Sequence, residues 1–94
     1  MTHPDRISEI GKALAHPTRV LMLQMLAGGE LCGCEFAPAL GLNPSVVSRF
    51  LATLFRAGLV TSRRDGVRVL WNLADPEIPD LLARLANLVG EKVA

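Results

Sequence analysis

Two cysteines, Cys32 and Cys34, stand one glycine apart in "ELCGCEF" (Glu30 to Phe36), and they are the only thiols in the chain. Thiolates are soft ligands, suited to As(III), Sb(III), Cd(II), Pb(II), Cu(I) or Zn(II). At this spacing they could clip one such ion, act as a redox pair, or pack as two small apolar neighbours. A structural disulfide is a poor fit, because residues two apart rarely reach the Cα spacing and dihedral it needs. On a regular helix the two side chains point about 200° apart. One ion held by both sulfurs then requires the first turn of that helix to unwind or stretch. Gly33 lowers the cost, since glycine reaches backbone angles that other residues avoid.

The second set of reactive groups is basic. Between positions 49 and 68, five arginines (Arg49, Arg56, Arg63, Arg64 and Arg68) meet one acid, Asp65, so the window carries +4 on a chain of net charge +1. The remainder is therefore −3. A local basic stretch on a nearly neutral chain suggests a positive face for phosphates, with a solvated surface as the plain alternative. No serine–histidine–acid set, phosphate-binding loop or paired carboxylates can be assembled, so an enzyme is not expected.

Ninety-four residues, half of them apolar, suffice for one domain spanning residues 1–94. The N-terminal "MTHPDRISEI" lacks the apolar run of a signal peptide, and no stretch is long enough to cross a membrane. A cytoplasmic protein with reduced thiols is expected.

Hydrophobic spacing predicts helices followed by one hairpin. A first helix is expected over Asp5 to Ala15, with Ile7, Ile10 and Leu14 on one face. "TRVLMLQML" follows Pro17 and is apolar on nearly all sides, which marks a buried helix ending at Gly28-Gly29. A short third helix is expected over Leu31 to Leu40, stopped by Gly41. Asn43 caps and Pro44 opens the next, "LNPSVVSRFLATLFRAG", which buries Val47, Leu51 and Leu54 and leaves Ser45, Val46, Ser48, Arg49 and Ala52 outside. "LVTSRR" and "VRVLWNL", separated by Asp65-Gly66, read as a hairpin. A last helix opening at Asp75-Pro76 carries Ile78, Leu81, Leu82, Leu85, Leu88 and Val89 at three- and four-residue spacing.

Two helices joined by "GLNP", followed by an arginine-bearing hairpin, make a winged helix-turn-helix: mainly α with a β-hairpin wing. Asn43, Ser45, Val46, Ser48 and Arg49 then stand on the recognition helix. Small serines let its backbone approach the major groove, and Arg49 can bind guanine O6 and N7 or a phosphate. Arg63, Arg64 and Arg68 would reach phosphates or the minor groove from the wing. One domain of this size covers one half-site, so a symmetric homodimer is expected on double-stranded operator DNA, joined through the first and last helices. A winged helix that uses its wing against protein is the alternative.

The chain resembles the ArsR/SmtB family of metal- and metalloid-responsive repressors. The likeness is carried by "ALAHPTRVLMLQML", "GELCGCEFAPALGLNPSVVSRFLATLFRAGLV" and "RRDGVRVLWNL", about Lys12 to Leu73, which fall in the family's order. It implies a winged-helix homodimer that leaves operator DNA when an inducer binds. "ELCGCEF" is similar to the family's "ELCVCDL" box, an arsenite-type site, which makes Cys32 and Cys34 ligands for As(III) or another thiophilic ion. In well-known members a third cysteine stands three residues after the second; here that position is Ala37. A small-molecule thiol, water, His16 or the other chain is left to supply the third ligand, and His16 is more simply a helix-start residue. Phe50 stands where the family often has histidine. The last helix has only carboxylates (Asp75, Glu77, Asp80, Glu91), so the zinc and nickel sites of some relatives are hard to build there. A thiol redox switch remains the second functional reading.

Overall fold

The computed structural model describes residues 3–88. In chain order the elements are α1 (Pro4–Leu14), α2 (Pro17–Leu26), β1 (Leu31–Cys32), α3 (Gly33–Leu40), α4 (Pro44–Arg56), β2 (Val60–Asp65), β3 (Arg68–Leu73) and α5 (Ile78–Leu88). The three strands form one antiparallel sheet in the order β1-β3-β2. Helices α3 and α4 with the β2–β3 wing make a winged helix-turn-helix.

Local chemistry sets most of the helix starts. Pro4, Pro17 and Pro44 each occupy a first helical turn, where the missing N–H has no partner to lose. His16 Nδ1 accepts from the Thr18 N–H at 3.1 Å and caps α2. Gly41 ends α3 at φ 64°, a left-handed conformation that glycine adopts without strain. The Leu42 N–H then closes onto the Ala37 carbonyl at 3.0 Å, which leaves Leu42 and Asn43 to join α3 to α4.

The core lies where α2, α3 and α4 meet the sheet. Phe36, Met22, Leu23, Leu54 and Val60 are fully buried. The predicted inner face of α4 is the observed one, with Val47, Leu51 and Leu54 all buried.

Three boundaries differ from expectation. Leu31 and Cys32 are not helical: they form β1, opposite Trp71 and Leu70 of β3. A partner some forty positions away competes successfully for those backbone groups, and nothing local announces it. The hairpin turn is Gly66-Val67, one residue later than expected, because Asp65 still pairs with Arg68. Gly66 takes φ 67° and Val67 keeps a negative φ, as a two-residue turn with glycine at its first position requires. Val67 therefore stands at the wing tip, 97% exposed, instead of within the strand. Finally, Asp75 Oδ1 accepts from the Glu77 N–H at 2.8 Å in a turn, and α5 begins only at Ile78. Val89 and Glu91 lie outside the described residues.

Candidate functional site

Cys32 is the N-cap of α3, with extended backbone (φ −67°, ψ 142°), and Cys34 is in the first turn. The Cys32 Sγ occupies the place usually taken by a serine or aspartate oxygen and accepts from the Cys34 N–H at 3.3 Å. Glu35 completes the box: its Oε2 accepts from the Cys32 N–H at 2.6 Å. The expected opposition of the two thiols on one regular helix is thus corrected. Because Cys32 precedes the helix as its N-cap, its Sγ folds back onto the Cys34 N–H and does not point away as it would on a regular helix. Gly33 also has a packing role. A Cβ there would lie 3.2 Å from the Trp71 indole Nε1, so its bare Cα makes room for that ring.

The two thiols differ in exposure and acidity. Cys32 is buried and Cys34 exposed. Hydrogen bonds from Cys34, thiol first and then backbone N–H, hold the Cys32 thiol below the usual range, and the Arg68 guanidinium adds to this. The same contact pushes Cys34 upward. Strand register explains the arginine: Cys32 opposes Leu70, and Arg68 lies two residues along the same face of β3. These contacts make Cys32 the more acidic thiol of the pair.

One residue before β1, Glu30 fastens this segment to the wing. Its carboxylate accepts from Arg63 Nε and a terminal guanidinium nitrogen, both at 2.7 Å, and from Asn72 Nδ2 at 2.7 Å. These donors hold Glu30 below the ordinary carboxylate value, Arg63 first. Arg63 is thereby turned to the base of the wing. Arg64 is exposed and has no ion-pair partner among the described residues. On α4, Ser45, Ser48 and Arg49 are exposed and Val46 is half-buried. Asn43 Oδ1 accepts from both the Ser45 N–H (2.9 Å) and the Ser45 hydroxyl (2.8 Å), so these two residues shape the start of α4.

A cleft of about 500 Å³ opens beside Cys34, between α3, α4 and β3. Ala37, Pro38, Val47, Leu51, Val69 and Trp71 give it mainly apolar walls, and Ser48 of α4 reaches its edge. His16 does not join the thiols. Its Nδ1 is committed to capping, and its ring packs 4.6 Å from Phe50. Among the described residues no group of three or more His, Cys, Asp or Glu side chains is arranged to hold a metal ion. Sequence reasoning missed Glu30, Trp71 and the cleft. Glu30 and Arg63 are 33 positions apart, so only the strand pairing makes them neighbours.

A helix-turn-helix followed by a wing defines a class of DNA-binding regulators. Residues 16–62 match the family model described as "Bacterial regulatory protein, arsR family". The chain is 34% identical, over 99% of its own length and 74% of the relative's, to a probable mercury resistance operon repressor of Streptomyces lividans. It is 45% identical, over 72% of its length and 53% of the relative's, to an arsenic resistance transcriptional regulator of Pseudomonas putida. The solution structure of a homodimeric winged helix-turn-helix DNA-binding domain from Mycobacterium bovis superposes with a TM-score of 0.82 at 34% identity, covering 90% of this chain and 79% of that one. This chain belongs to the ArsR family: it is a DNA-binding, winged-helix transcriptional repressor and not an enzyme.

Proposed function

We propose that the protein grips two operator half-sites as a homodimer in the cytoplasm, and lets go when a thiophilic inducer such as As(III) or Sb(III) binds Cys32 and Cys34. Ser45, Val46, Ser48 and Arg49 of α4, which Asn43 caps, would face the major groove. Arg64 and Arg68 would reach phosphates or the minor groove. Arg63, committed to Glu30, positions the wing on the DNA. The exposed stripe of α5, with exposed Ile7 on α1, supports pairing through the terminal helices, as does the homodimeric relative from M. bovis. As(III) or another soft ion suits the donor set, because two adjacent thiols offer sulfur and little else. In chain, the inducer would supply a covalent tie between two segments, the edge strand of the wing sheet and the helix packed before α4.

The observation that carries this reading is the placement of both cysteines at the N-terminus of α3, Cys32 as its cap and Cys34 in its first turn, on the helix packed before the recognition helix. Its test is fluorescence anisotropy of the DNA upstream of the protein's own gene, with reduced protein and added arsenite or antimonite. Release is expected in the wild type. Cys32→Ser and Cys34→Ser should still bind DNA and should fail to release it; normal release by both would remove the thiols from the mechanism. The lowered Cys32 pKa favours a second reading, oxidation of this thiol. Release by peroxide and not by metalloids would select it. DNA binding indifferent to salt and to Arg49→Ala would instead indicate a protein-interaction module.

A further inference from the structure

Arg63 and Arg64 are neighbours on β2 and are held differently. Successive strand residues point to opposite faces. Arg64 is exposed and has no ion-pair partner among the described residues. Arg63 has its fork filled: Nε and Nη2 donate to the two carboxylate oxygens of Glu30, both at 2.7 Å. A guanidinium grips a phosphate with the same paired donors, so a fork closed on a carboxylate is lost to DNA. We infer that Glu30 withholds Arg63 from the phosphate backbone and thereby limits the sequence-independent grip of the wing on DNA. The inference rests on the reading of the wing as a DNA contact, and it names the arginine that is kept out of that contact.

Strand register builds the arrangement. Leu31 of β1 opposes Trp71, so Glu30, one step earlier, comes opposite Asn72. On β2, Arg63 opposes Leu70, two residues from Asn72 on the same face. A carboxylate beside the edge strand thus reaches across β3 to an arginine of the far strand. Asn72 Nδ2 adds a third bond, to Glu30 Oε2 at 2.7 Å, and steadies the carboxylate. The same donors hold Glu30 below the ordinary carboxylate value, so it is ionised at neutral pH.

The folded wing is therefore less basic than its arginines suggest. Positions 49 to 68 carry +4, and Glu30 lowers the charge of that face to +3. Moving Arg63 to a phosphate would strip Glu30 of its cation and leave a carboxylate beside a polyanion, where like charges repel. With Glu30 neutral that opposition disappears. The Arg63 side chain is 58% exposed, so it has room to turn outward once released.

The test is fluorescence anisotropy with a duplex unrelated to the operator, which reports phosphate contact without base readout. Salt is varied between about 50 and 200 mM. Glu30→Gln keeps the side chain's size and removes its charge. It should bind this duplex about 3- to 10-fold more tightly at the low-salt end, and its log affinity should fall more steeply with log salt, by about 0.9 for each wing on the duplex. The double variant Glu30→Gln/Arg63→Gln has the net charge of wild type without the released arginine. It should return to the wild-type slope. A double variant that keeps the gain shows that Arg63 is not its source and overturns the inference. A double variant with a slope shallower than wild type shows that Arg63 already holds a phosphate, which overturns it too. Unchanged or weaker binding by Glu30→Gln reduces the pair to a positioning contact and overturns it as well. Arg64→Gln checks the reading underneath: its slope should fall by about 0.9 per wing. An unchanged slope there takes the wing off the DNA and removes both.

Discussion

Helices α4 and α5 carry equally plain apolar stripes, and the molecule uses them differently. On α4, Val47, Leu51 and Leu54 disappear into the core, while Ser45, Ser48 and Arg49 look outward. On α5, Ile78 alone is buried; Leu81, Leu85 and Leu88 are 43%, 45% and 74% exposed. Amphipathic spacing states that a face will leave water. It does not state whose surface will cover it. For α4 the cover is this chain's own α2, α3 and sheet. For α5 the proposed cover is a second copy, because a chain of this size has no core left to offer.

Four substitutions break or sharpen that contrast, in descending size of effect. Leu54→Ala empties a fully buried site and should cost about 2–5 kcal/mol in urea unfolding, independently of protein concentration. Equal sensitivity at Leu85 would erase the difference between the helices. Leu85→Glu should leave the monomer folded by circular dichroism, shift sedimentation to the monomer, and weaken operator binding about 100-fold through loss of the second half-site; an intact dimer would mean that α5 covers nothing. Arg49→Ala tests the outer face of α4. It should lower operator affinity by about 1–3 kcal/mol in anisotropy titrations without changing the urea midpoint.

Glu30→Gln, away from both stripes, should have the smallest effect and a pH signature. The folded pKa of Glu30 is lowered by Arg63 and Asn72. Its stabilisation is therefore complete above the ordinary carboxylate pKa of about 4.3 and fades as pH falls through the lower folded value. Thermal melts should separate wild type from variant at pH 7 and converge only once the pH has fallen below the lowered folded value. The gap should be modest, since the Arg63 side chain is 58% exposed. A constant gap across pH would dismiss the ion pair as its source.

The same division runs through the thiol site. Asn43-Pro44 and Gly41 announce the helix-turn-helix in the chain itself, because caps and positive-φ glycines act over a few residues. The turn at Gly66 was legible to within one residue, since "RRDG" names a turn without naming its register. Cys32 was misplaced on a helix because its conformation depends on pairing with Leu70, 38 positions away. The Ala37 departure from the three-thiol pattern was visible in the chain. Its neighbours across the cleft, Val47 and Trp71, were not, for they arrive from two other elements.

What the amino-acid order determined alone was local: where helices start and stop, which face of each is apolar, which residues bear sulfur and charge. The tertiary structure decided which distant groups meet: Cys32 with Leu70 of β3, Arg63 with Glu30, Trp71 with Gly33. The physical reason is range. Backbone capping and side-chain periodicity act within about one helical turn, whereas strand pairing and cavity walls join segments whose proximity exists only after the chain has folded.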